Sequence, residues 1–320
     1  VTGTAPTTVT RGGFLLVTAA AALWGTSALF RFGPAEALPA STVVAVEHLI
    51  LVAVLAPVLV RGVRRARATF DRGDVIALML VGVGASAVAT VLFTTAFAFG
   101  DPNTPLLLQQ LQPVFAVLGA RLVLGERLLR RYPVFFVLAV TGAFLVTFED
   151  PTQVSVAGAA PAVLAASAAA LWGMGTVLGR RLTAKVSFFE LAALRFGVGL
   201  PAALLLLPVG GGAAAATSLD GEALTSLLLL ALIPGLLGLT VYYRGLRGTP
   251  ASSATLAELA FPLSSLLVNY LAFGATLTLT QGLGVLLLAA TITVMGLAHQ
   301  RRPEAAGVRV PAAQAAGADS

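Results

Sequence analysis

Few side chains in this 320-residue sequence are suited to chemistry. Cysteine is absent, which excludes a disulfide framework, a thiolate zinc site and a thiol nucleophile. Two histidines, His48 and His299, are too few and too far apart for a histidine metal cluster, so no metal is expected. The GxxxxGK[ST], HExxH and GxSxG patterns are missing, which argues against a built-in ATPase and against an enzyme of those classes. What stands out instead is a set of ionisable residues embedded in apolar runs: Glu47, His48, Arg195 and Glu258. Gln109, Gln110, Gln112 and Asn269 accompany them. An ionisable group in mid-membrane costs about 2.5–3.5 kcal/mol on insertion scales, so such residues face a cavity or a partner. Their chemistry is binding or proton carriage rather than bond making.

Their spacing suggests how they are presented. Glu258, Phe261, Ser265 and Asn269 are separated by 3, 4 and 4 residues and share one face of a helix. At an offset of 149 stand Gln109, Gln112, Ala116 and Ala120, so two facing helices would offer a polar stripe to the centre. The alternative is a set of hydrogen bonds that only hold helices together. Glu47 follows Trp24 by 23 residues, and Arg195 follows Trp172 by the same 23. Two readings stand for this matched pair: an ion pair or switch beside a substrate path, or two charges that each lock their own half. His48 either titrates near neutral pH or is a buried neutral ring with a hydrogen bond. Trp24 and Trp172 either line a cavity or pack closely through the adjacent Gly25 and Gly173.

The elements that must position these residues follow from composition. Hydrophobic residues make up 58% of the chain and charged residues 11%, against about 25% charged in a soluble domain. That excludes an ordinary cytosolic enzyme and a disordered scaffold, and predicts an all-α integral membrane protein. Ten apolar runs are long enough to span a bilayer: 13–32, 41–60, 75–97, 104–123, 132–148, 157–179, 187–208, 223–243, 251–272 and 280–298. The first is expected to be a retained helix rather than a signal peptide. Residues 1–12 read as a cytoplasmic N-terminus, 13–148 and 157–298 as two five-helix repeats, and 299–320 as a disordered cytoplasmic tail. With the N-terminus inside, 18 of the 20 basic residues fall on the cytoplasmic side, Arg31 falls on the outer side and Arg195 within a span. The outer loops carry Glu36, Asp101, Glu149, Asp150, Asp220 and Glu222. Both termini are therefore expected in the cytoplasm. The basic clusters are the signature of membrane orientation and do not predict nucleic-acid binding.

The sequence also repeats itself. Leu23-Trp24-Gly25 recurs as Leu171-Trp172-Gly173, and Leu111-Gln112-Pro113 stands where Ala260-Phe261-Pro262 stands in the second half. Gly125 meets Gly274 at the same offset of 149. Five spans is an odd number, so the halves must run in opposite directions, the inverted-repeat plan of secondary transporters. The run from Ala116 to Leu128, AVLGARLVLGERL, follows Gln112-Pro113 and resembles the signature of the EamA family in the drug/metabolite transporter superfamily. Tyr242-Tyr243-Arg244-Gly245-Leu246 and Phe261-Pro262 carry the resemblance in the second half, where Ala275 stands in place of the glutamate. Second helices of such halves commonly hold an arginine, and Arg195 matches it while Glu47 does not.

The resemblance implies a secondary transporter of the bacterial inner membrane, without cofactor. It would export small metabolites, amino-acid-like compounds or drugs by alternating access, with protons as a second partner. A central site with both Glu and Arg suits a zwitterion. An importer of the same fold, a membrane-embedded lipid-handling enzyme and a passive channel are the competing readings. The bilayer is the expected surrounding, and a monomer or homodimer the expected assembly.

Overall fold

A computed structural model describes residues 11–124, 130–148, 150, 156–217, 219–246, 257 and 260–300. Its helices are α1 (Gly12–Ala37), α2 (Ala40–Val54), α3 (Ala56–Thr69), α4 (Arg72–Phe97), α5 (Asn103–Val123), α6 (Tyr132–Thr147), α7 (Gly158–Thr183), α8 (Phe188–Leu206), α9 (Gly221–Tyr242), α10 (Ala260–Phe273) and α11 (Leu279–Ala298). No strand occurs among the described residues. Seven of these helices are long and apolar enough to cross a bilayer, and α2 with α3 makes an eighth if the bent pair is one span. Helices α6 and α10 are apolar but shorter. Of the run expected at 251–272, only Ala257 and the residues from 260 onward are described. The last helix continues through Gln300, two residues into the expected tail; 301–320 lie outside the described residues, as do 1–10 and Gly125, Glu126 and Glu258.

Local chemistry explains most of the boundaries. Asp71 and Asp220 cap α4 and α9, and Ser187 caps α8 in a reciprocal box with Glu190. Pro57 lies just after the break between α2 and α3, where the axis turns by 81°. In α1 the ladder is interrupted at Thr26, whose hydroxyl turns back to the Leu23 carbonyl at 2.7 Å. Both third helices widen to i→i+5 bonding, over Leu80–Val88 and over Ala231–Leu237, places related by the repeat offset.

The two repeats are interlocked rather than side by side. The first helix of each docks into the other repeat: α1 packs against α9 and α10, and α7 against α4 and α5. The second helices, α2 and α8, pack on each other, and so do the fifth, α6 and α11. Small residues allow the approach. A Cβ on Gly25 would stand 2.8 Å from the Ser265 nitrogen and 2.9 Å from the Phe261 oxygen. A Cβ on Gly173 would stand 2.8 Å from the Ala116 nitrogen and 2.9 Å from the Gln112 oxygen. Those contacts correspond atom for atom at the repeat offset. Exposed apolar side chains such as Val137 on α6, Leu271 on α10 and Leu286 on α11 point away from the core, as lipid contact requires.

Candidate functional site

The charged centre is built where α1, α2 and α4 meet. Glu47 on α2 is buried, and both its carboxylate oxygens accept from Arg31 Nη2, at 3.0 and 2.9 Å. Arg31 also donates to the Thr94 hydroxyl on α4, and its guanidinium lies 5.8 Å from the centre of the Phe93 ring. Two corrections follow. Arg31, counted with the outer side, lies in the interior: α1 continues to Ala37 and buries it, 5% exposed. The partner of Glu47 is Arg31 of its own repeat rather than Arg195. A buried carboxylate must be neutralised where it sits, and the nearest guanidinium lies one helix back in the chain. Charge counting over loops missed this pair, since it treats a basic residue near a helix end as solvent-facing. The signal was an arginine 16 residues before a glutamate, each in an apolar run.

Arg195 on α8 donates to the Ala85 carbonyl at 3.1 Å and lies over Phe196 at 5.5 Å. Ala85 belongs to the widened stretch of α4, where the usual i→i−4 ladder is broken. His48 is fully buried. Its Nδ1 lies 2.9 Å from the Val44 carbonyl, an acceptor, so Nδ1 carries the hydrogen, and Nε2 faces the Ser86 hydroxyl at 3.1 Å. The ring stands edge-on to Phe196 and fills the gap left by Gly199. This is the buried, hydrogen-bonded histidine of the second expectation.

The aromatic part is shared between the repeats. Trp24 lies 4.8 Å from Tyr242, and Trp172 lies 5.0 Å from Phe93. Phe93 and Tyr242 are themselves related by the offset of 149, so the two pairs are repeat images, each crossing from one half to the other. Both tryptophans are partly exposed and belong to one cluster with Phe93 and Phe261. The Trp-Gly motif packs closely, as one of its two readings has it: glycine lets the helices close, and each tryptophan joins the aromatic cluster. The partners Phe93 and Tyr242 were missed, because nothing in the sequence marks one aromatic residue among many in an apolar helix.

The polar stripe divides. Gln112 on α5 donates to the Thr176 hydroxyl at 3.3 Å, and Thr176 donates to the Trp172 carbonyl at 3.0 Å, which leaves a partly exposed polar wall beside Trp172. Gln109 is half-buried one helical turn away. Ser265 instead closes on the Pro262 carbonyl at 3.0 Å. Asn269 is buried and donates to the Pro102 carbonyl at 3.1 Å and to Asn103 Oδ1 at 2.8 Å. Asn269 thus ties α10 to the start of α5, as the alternative reading of the stripe has it, whereas the Ser265 bond stays within α10. Glu258, the fourth member, lies outside the described residues. No group of three potential metal ligands occurs among the described residues.

With this geometry in hand, comparison with known proteins places the chain. The description "EamA-like transporter family" matches it twice, over residues 11–148 and 160–297. The chain belongs to the EamA-like transporter family. It is a multi-pass membrane protein of a transporter family, whose members act on small molecules. It is 29% identical over 288 residues to a protein of Fusobacterium nucleatum named riboflavin transporter ImpX, covering 88% of this chain and 96% of that one. It is 26% identical over 312 residues to a Salmonella typhimurium protein named uncharacterized inner membrane transporter YicL, covering 93% and 99%. A solved structure 19% identical in sequence shares the fold at a TM-score of 0.60, over 91% of this chain and 99% of that one.

Proposed function

We propose that this EamA-family chain is a secondary transporter with ten spans in two inverted five-helix repeats. It works by alternating access in a bacterial inner membrane, with both termini in the cytoplasm. The observation that carries this reading is the meeting of the repeats: each repeat's tryptophan meets an aromatic ring of the other, tilted or edge-on, and one of those rings, Phe93, lies against the buried ion pair. A site made by both halves changes shape when one half rocks against the other, which is what alternating access needs. The cargo is a small organic molecule with a flat ring. Partly exposed Trp24 and Trp172 supply stacking faces, and Gln109, Gln112 and Thr176 supply polar contacts along one wall. The name of the Fusobacterium relative supports a ring of the flavin kind within the wider class of metabolites and drugs.

Proton coupling is part of the proposal. Glu47 in its ion pair is the carrier whose protonation would release Arg31 to an anionic or polar group of the cargo. Arg195 and His48 flank the same region from α8 and α2.

The test is a thermal-shift panel on purified protein with riboflavin, amino acids, nucleosides and cationic drugs at two pH values. A ligand of the folded state raises the melting temperature by mass action. A flat heteroaromatic hit is expected, retained in Trp172→Phe and lost in Trp172→Ala. Glu47→Gln is expected to keep binding while removing its pH dependence. A hit unaffected by Trp172→Ala would overturn this site.

A further inference from the structure

At one end of the molecule two carboxylates share the first turn of α4. Asp71 accepts from the Asp74 backbone N–H at 2.9 Å, and Asp74 accepts from the Asp71 N–H at 3.0 Å. The Asp74 side chain is 1% exposed. Its counter-charges come from the other repeat. Arg181 at the end of α7 donates from Nε to Asp74 at 2.7 Å and from Nη2 to Asp71 at 3.0 Å. Lys185, just beyond α7, donates to Asp71 at 3.1 Å and also to Asp74. Gly73 leaves room for the guanidinium, since a Cβ there would stand 2.7 Å from Arg181 Nη2. Arg65 on α3 adds a bond to the Lys185 carbonyl at 2.9 Å and lies 3.8 Å from Glu190 on α8. Four charged side chains thus tie the repeats together here, one carboxylate out of water.

The repeat-related place, at the far end of α1 and the start of α9, lacks this arrangement. Asp220 stands in the position of Asp71 and caps α9 through the Ala223 N–H at 2.7 Å. Ala223 replaces Asp74, and at the 148-residue offset of the tryptophans Gly33 and Ala37 replace Arg181 and Lys185. The charges nearby, Glu36, Asp220 and Glu222, are all acidic and exposed. Ties between the repeats toward that end include neutral hydrogen bonds, such as Asn269 to Asn103 and the Thr42 hydroxyl to the Gly212 carbonyl at 3.0 Å. Charge-assisted hydrogen bonds are roughly twice as strong as neutral ones.

We propose that Asp71, Asp74, Arg181 and Lys185 form a one-sided ionic latch, so that the resting protein is closed at this end and opens first at the acidic end. Given the transport reading above and its orientation, the latch is cytoplasmic, and the resting carrier receives cargo from outside. The four residues are positioning residues for the transport cycle and touch no cargo.

The sequence has no cysteine, so introduced cysteines label alone. Spin labels at Ala68→Cys and Ala184→Cys flank the latch, and labels at Ala37→Cys and Gly221→Cys report the opposite end; all four positions are exposed. In reconstituted protein without substrate, pulsed distance measurement is expected to give one short population across the latch. Asp74→Asn and Lys185→Gln should each raise the ratio of a longer population about ten-fold, the factor carried by losing one hydrogen bond to a charged group. The opposite pair should shorten in step. Lys185→Gln leaves Arg181 to neutralise Asp74 and keeps the test decisive if Asp74→Asn does not fold. Unchanged distances in Lys185→Gln, with a lowered melting temperature, would overturn the latch and leave a static staple. Because the labels report state and not flux, failure of the transport reading would leave this result standing.

Discussion

The buried pair of Arg31 and Glu47 shows how much of a membrane protein's chemistry is set by single charges. Their side chains are 6% and 11% exposed, so neither is screened by bulk water. Removing one partner of such a pair typically costs 3–5 kcal/mol, because the other charge is left uncompensated. Arg31→Met is therefore expected to destabilise by about 3 kcal/mol, read as a lowered melting temperature in detergent. Adding Glu47→Leu to it should recover much of the loss. Equal and additive losses in the double-mutant cycle would mean that the two side chains do not depend on each other. The sequence showed Glu47 as an intramembrane charge but not its partner. Arg31 and Arg195 were both available along the chain, and only the direction of α1 and α8 in space selects one.

At the scale of elements, glycine positions decide how closely the helices approach. Gly25 and Gly173 face backbone atoms of the other repeat, which cannot swing away as a side-chain end can. Gly25→Ala and Gly173→Ala are each expected to cost about 1–3 kcal/mol by overpacking, since their backbone contacts are repeat images, and at Gly25 the Ser264 hydroxyl must also turn aside. Gly33→Ala, with nothing within 4 Å of the added carbon, is the control and should leave the melting temperature unchanged. The helical runs were legible in the sequence, since apolar length is what the bilayer selects. Pro57 and Pro234 mark the 81° turn between α2 and α3 and the widened stretch of α9, whereas the widened stretch of α4 has no proline to mark it. Such breaks are decided by which neighbouring groups take up the freed backbone bonds, as Arg195 does at Ala85.

Across the whole molecule, the latch carries a pH prediction. Asp71 is held below the ordinary carboxylate value of 3.8, first by the Asp74 backbone N–H and then by the Lys185 ammonium. Its contribution is complete above that value and is lost as pH falls through the lowered one. Lys185 is raised above 10.5, first by Asp74 and then by Asp71, so its contribution is complete below 10.5 and is lost as pH rises through the raised value. The population measured across Ala68→Cys and Ala184→Cys should therefore be constant from about pH 5 to about pH 9. Any pH dependence of transport in that window then belongs to the centre. A latch distance that changes between pH 6 and pH 8 would assign it to the latch instead.

The sequence by itself determined that the chain lives in a membrane, that it is duplicated and which family it belongs to. It also singled out Trp24, Trp172, Glu47 and Arg195, because intramembrane charge and rare paired tryptophans stand out against an apolar background. These are properties of composition, length and spacing, and they survive any arrangement of the helices. Tertiary structure alone decided that each first helix docks into the opposite repeat, that Trp24 meets Tyr242 and Trp172 meets Phe93, and that Asp74 lies buried between Arg181 and Lys185. Those partners lie far apart in the chain, and a residue's offset from its repeat image does not say which residue it touches. Close packing between the repeats makes that choice.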